Sequence, residues 1–71
     1  MTKKDYELIA EALADTYNFY KEFGGDDDER ARARTAINQA VRYMSDKLAK
    51  DNSKFSRTSF KIYFEMKIGK I

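Results

Sequence analysis

"KFSRTSFKIYFEMKIGKI", Lys54 to Ile71, admits two readings that lead to different folds. As a strand, Phe60, Ile62, Phe64, Met66 and Ile68 alternate strictly with Lys61, Tyr63, Glu65 and Lys67, a period-two pattern in β-favouring residues. As a helix, Phe60, Tyr63, Phe64, Lys67 and Ile68 share one side, while Ile62 and Met66 point elsewhere. A lone strand has nothing to pair with in a helical chain and would need a second copy of itself. Ser56 can cap a helix that begins at the next residue. A short helix over about residues 57–66 is therefore the expected form, and a C-terminal strand is the alternative.

Upstream the pattern is helical. Thr2-Lys3-Lys4-Asp5 fits a capping box, with Asp5 at the positive end of the helix dipole. Tyr6, Ile9, Leu13, Thr16, Tyr17 and Tyr20 form one stripe, widened by Ala12, Phe19 and Phe23. Gly24 suits the C′ position, where a positive φ carries no Cβ penalty, and Gly25 lets the chain turn. The spacing predicts a first helix over about residues 3–22. In "GGDDDERARAR", Gly24 to Arg34, the aspartates and Glu29 offer an N-cap and an acidic first turn. Ile37, Val41, Met44 and Leu48 then step by four, three and four, flanked by Ala33 and Ala40, and "DNSK" breaks the pattern near residue 50. The second helix is expected over about residues 27–50. A short connection makes the pair an antiparallel hairpin, so the fold class is all-α: a helical hairpin plus a short third helix in one small domain, residues 1–71.

Composition narrows the chemistry. With no cysteine and no histidine, disulfides and the usual zinc sites are impossible, and no thiol or imidazole can serve as nucleophile or neutral-pH base. No apolar run approaches the roughly 18 residues of a membrane span, and acids interrupt what would be a signal peptide's apolar core. A cytoplasmic protein without cofactor or membrane partner is expected, and an enzyme is not. Charge is segregated: residues 1–29 hold three Lys against nine Asp/Glu (−6), and residues 30–71 hold eleven Lys/Arg against three Asp/Glu (+8). Such asymmetry serves attraction between the halves, head-to-tail pairing of chains, or a basic surface for nucleic acid.

Three sets of residues are candidate contacts. Glu7, Glu11 and Asp15 step by four along the polar face of the first helix, and no lysine on that helix lies at i+4 from them. Like charges at that spacing repel mildly, which a basic protein partner would relieve; a solvated helix face is the simpler reading. Ile62, Met66, Ile68 and Ile71 are more apolar surface than a short terminal helix can hide, so they either form an interface or wrap back over the hairpin. Arg32, Arg42, Lys50, Arg57 and Lys61 are candidates for phosphate contacts, with Phe55, Tyr63 and Phe64 available to stack on bases. Asp28–Arg32 and Asp46–Lys50 are i,i+4 pairs that would use part of this charge locally. Asp26, Asp27 and Asp28 lack the alternating ligands and distal Glu of a Ca²⁺ loop, so capping is their expected role. A chain this short gains from sharing a core, which favours a homodimer.

Two stretches carry a resemblance. "MTKKDYELIAEAL", residues 1–13, is similar to the opening M-T-[KR]-x-D-Y-x-L-I-A of a widespread group of small phage and prophage proteins. "LAKDNSKFSRTSF", Leu48 to Phe60, matches their C-terminal signature L-A-x-D-N-x-x-F-x-x-x-x-F. Together they cover about a third of the chain; relatives often carry Pro and Asp at Ser53 and Ser56, and usually stop soon after the position of Phe60. The resemblance implies a viral origin, hence the host cell cytoplasm, and a compact helical fold. It brings no activity and no functional residue. The expected function is a non-enzymatic accessory protein that binds a host or phage protein, with a small nucleic-acid-binding regulator as the alternative.

Overall fold

A computed structural model describes residues 2–69. It contains three helices: α1 Lys3–Phe23, α2 Asp27–Asp51 and α3 Arg57–Lys67. The tail is a helix, and no strand forms among the described residues. Each helix starts on a side-chain cap. Thr2 Oγ1 accepts from the Asp5 N–H at 3.3 Å while the Thr2 N–H donates to Asp5 Oδ2 at 2.9 Å, a complete capping box. Asp26 Oδ1 accepts from the Glu29 N–H at 2.8 Å, and Ser56 Oγ from the Ser59 N–H at 3.1 Å.

The turn between α1 and α2 is shifted by one residue from the sequence expectation. Gly24 is the C-cap with φ −81°, and Gly25 holds the left-handed conformation, φ +92°. A Cβ at Gly24 would collide with the Tyr20 carbonyl and the Arg30 side chain, so this glycine is required for close approach.

α1 and α2 form the antiparallel hairpin, and α3 lies against one face of it, packed more extensively on α1 than on α2. The core is Ala10, Ala14, Ile37, Val41, Phe60, Phe64 and Ile68, with Ile9, Leu13, Tyr17, Met44 and Leu48 packed around it. The centre of α1 differs from the expected stripe. Ala10 and Ala14, both 0 % exposed, hold it, whereas Ala12, Thr16, Phe19, Tyr20 and Phe23 face solvent. The reason is steric: α3 brings Phe60 and Phe64 to α1, and only small side chains leave room for those rings. Ser45 plays the same part on α2, buried with its hydroxyl donating to the Val41 carbonyl at 2.7 Å.

α3 spans only part of the hairpin. Eleven residues rise about 16 Å, against roughly 37 Å for the 25 of α2. Its start is fixed where Phe55 meets Tyr6, and its end where Asn18 Nδ2 donates to the Lys67 carbonyl at 3.2 Å. The last turn of α1 and the first turns of α2 therefore extend beyond α3, which accounts for the elongated 40 × 18 × 18 Å envelope.

Candidate functional site

The side chains around Tyr6 build a cleft. The Tyr6 ring meets Phe55 edge-on with centroids 4.6 Å apart, and Phe55 in turn meets Phe60 at 5.5 Å. Asn52 Nδ2 donates to the Tyr6 hydroxyl at 3.1 Å, and Asn52 Oδ1 accepts from the Lys54 N–H at 3.0 Å. The loop after α2 is thus fastened to the first turns of α1. Beside it opens a cleft of about 560 Å³ between α1 and α3, walled by Tyr6, Phe55, Phe60 and Tyr63. Ile62 and Met66 line its α3 side, both exposed, and Lys3, Glu7 and Lys54 supply its charges. Lys67 Nζ lies 5.4 Å from the centre of the Tyr63 ring.

Two of the sequence-derived sets therefore meet here: Glu7 from the acidic row, and Ile62 and Met66 from the tail. The rest do not join them. Ile68 is 6 % exposed and belongs to the core, so it is lost as a contact residue; the tail wraps back over the hairpin at Ile68, while Ile62 and Met66 stay exposed. Ile71 lies outside the described residues. Glu11 is half-buried and Asp15 is exposed, because successive i,i+4 positions drift by about 40° round a helix. The aromatic walls Tyr6, Phe55 and Tyr63 have no separate signature in the sequence beyond the Asn52-x-x-Phe55 spacing that brings the loop back to α1.

The basic candidates divide as well. Arg42, Arg57 and Lys61 border a second cleft, about 570 Å³, between α2 and α3, but Asp46 and Glu65 border it too. Arg57 Nη1 is 2.8 Å from Asp46 Oδ1. Arg32 and Lys50 lie on α2 outside this cleft. Among the described residues the ion pairs are Arg57–Asp46 and Arg30–Asp27, not the i,i+4 pairs Asp28–Arg32 and Asp46–Lys50. Of the aromatics, Phe64 is buried with Tyr17 edge-on to it at 5.9 Å and presents no free face for a base, while Phe55 is half-buried beside Tyr6 and Phe60.

Two of the three aspartates of the Gly24–Arg34 stretch are accounted for locally. Asp26 caps α2 and Asp27 pairs with Arg30. The Asp5 carboxyl is held below its usual range, because the Thr2 backbone N–H and then the Thr2 hydroxyl stabilise its charged form. That is a helix cap rather than a catalytic group. No helix of the described residues is long and apolar enough to cross a membrane. Comparison with protein-family models, with curated proteins and with solved structures gives no match to this chain.

Proposed function

We propose that this chain is a non-enzymatic accessory protein of the phage type, acting by protein–protein binding and as a homodimer, in the host cytoplasm. The observation that carries the binding reading is the convergence of Glu7, Ile62 and Met66 on the aromatic-walled cleft between α1 and α3. Apolar walls with a few placed charges suit an apolar anchor side chain flanked by a basic group, which Glu7 would meet. Support for the phage origin is the resemblance of residues 1–13 and Leu48–Phe60.

The test is capture of a host or phage protein from nuclease-treated lysate. Capture by the wild-type chain should be lost with Met66→Glu and with Glu7→Lys, and retained with Arg42→Glu. Capture that survives both cleft changes would sink the cleft reading.

The nucleic-acid reading has one observation in its favour, the gathering of Arg42, Arg57 and Lys61 at the second cleft. Against it stand Asp46 and Glu65 in the same place and the pairing of Arg57. Binding to random duplex DNA at about 50 mM salt, falling steeply as salt rises, would favour it over the protein-binding reading; no binding there removes it.

A further inference from the structure

Five of the seven large apolar side chains exposed by the described residues, Leu8, Phe19, Tyr20, Phe23 and Tyr43, lie on α1 and α2 away from α3. At about 100° per residue, Leu8, Ala12, Phe19 and Phe23 fall within roughly 60° of one another on α1. That arc is about 120° round from Glu7 and Asn18, which border α3. On α2 the matching arc holds Tyr43, Ala36 and Ala40 with the exposed Glu29 and Lys47 between them, turned roughly 150–170° from the centre of the α3-facing row at Ser45 and Asn38. Phe19 is 56 % and Phe23 70 % exposed; their rings lie 5.5 Å apart and touch each other rather than the core. Besides the apolar face that α3 covers, the hairpin therefore has a second, open face, apolar on α1 and mixed on α2 around Tyr43.

We infer that the open face binds a second copy of this chain, with two α1–α2 hairpins forming a four-helix bundle about a two-fold axis parallel to the helices. Three features select this occupant. The first is charge. In the half of the face nearer the turn, the outer edge carries Asp15 and Glu22 on α1 and Arg32 on α2, none of them in an ion pair among the described residues; in the far half it carries Lys4 and Lys50. About that axis α1 of one copy lies antiparallel on α2 of the other. The hairpin reverses at residues 24–26, so Arg32 is level with about residue 19 of α1 and comes between Asp15 and Glu22 of the second copy. Near the turn the acid-to-base asymmetry of the sequence thus becomes self-complementary.

The second feature is shape. The same registration sets Leu8 level with Tyr43 of the other copy, while Ala12, Ala36 and Ala40 leave a shallow floor that lets the helices close up. The third is area. One long side of the 40 × 18 Å envelope is a footprint of roughly 700 Å², an upper limit on the contact that leaves room for an interface approaching the ~800 Å² per partner of a standard stable one.

This inference rests on the self-association in the proposed function and names its surface. The test is sedimentation equilibrium of the full chain from about 10 μM to 1 mM, with far-UV circular dichroism as the fold control. The wild-type chain should run at twice its 8.3 kDa mass. Phe19→Glu and Phe23→Glu should each weaken association by at least about tenfold with unchanged helicity, because both side chains are exposed in the single chain. Asp15→Arg and Arg32→Glu should each weaken it, and together restore most of it. A wild-type monomer at about 1 mM overturns both the face and the self-association. A dimer that survives Phe19→Glu and Phe23→Glu overturns the face alone, and if Met66→Glu then dissociates it, the dimer forms through the cleft instead.

Discussion

Single residues at the helix starts set where each element begins. Asp26 satisfies an orphan N–H of α2 and places a negative charge at the positive end of the dipole. Asp26→Ala should cost about 1 kcal/mol in urea unfolding, a typical value for losing an N-cap of this kind. Asp5 works in the same way on α1, and its effect depends on pH. Its pKa is lower folded than unfolded, so its contribution is fully present above the ordinary aspartate value and is lost as pH falls through the depressed one. The stability difference between the wild-type chain and Asp5→Asn should therefore be constant from about pH 6 to pH 7 and shrink toward zero near pH 2. A difference that persists at the acid end would mean that Asp5 acts through something other than its charge.

The elements show how far the sequence could be read. All three helices were predicted to within one residue at either end, because Thr2, Asp26 and Ser56 mark their starts and the two glycines and "DNS" mark the breaks. The tail was ambiguous for a physical reason. Phe60, Phe64 and Ile68 are four apart, so they satisfy a period of two and a helical face equally. Ile62 and Met66, which would complete a strand face, are exposed here. The two stretches that carry the sequence resemblance also meet in space, Tyr6 from the first with Asn52 and Phe55 from the second. Tyr6→Phe removes the hydroxyl that accepts from Asn52 and should cost about 0.5–1.5 kcal/mol in urea unfolding. What the pattern could not give was the centre of α1. Hydrophobic periodicity favours bulky side chains, so it assigns Phe19 and Phe23 to the core stripe and passes over Ala10 and Ala14. Only the approach of Phe60 and Phe64 makes small residues the buried ones. Ala14→Leu should accordingly destabilise the chain by about 1–3 kcal/mol. Ala31→Leu, exposed on α2, should stay within about 0.5 kcal/mol. The candidate cleft was half readable for the same reason: its charged and aliphatic members stand out along the chain, and its aromatic walls exist only once the loop after α2 folds back on Tyr6.

For the molecule as a whole, size governs stability. At the usual 0.05–0.15 kcal/mol per residue, a chain of this length has roughly 4–10 kcal/mol in total. Phe64, 2 % exposed and in contact with Tyr17, is the largest fully buried side chain. Phe64→Ala should cost about 3–5 kcal/mol, enough to remove most of that stability and to leave little cooperative unfolding by circular dichroism. A second copy on the open hairpin face, as proposed above, would offset this weakness, because association that requires the folded state adds to folding by mass action. If folded chains are dimers and unfolded chains are monomers, a hundredfold rise in concentration stabilises each dimer by about 2.7 kcal/mol, or about 1.4 per chain. For a domain of this size that corresponds to roughly 5–10 °C. Thermal melts from about 10 μM to 1 mM should therefore move upward by this amount for the wild-type chain, while Phe23→Glu should melt below the wild type at each concentration. Concentration-independent melting of the wild-type chain would show that three helices suffice by themselves, and that Phe19, Phe23 and Tyr43 contribute nothing to stability through a second copy.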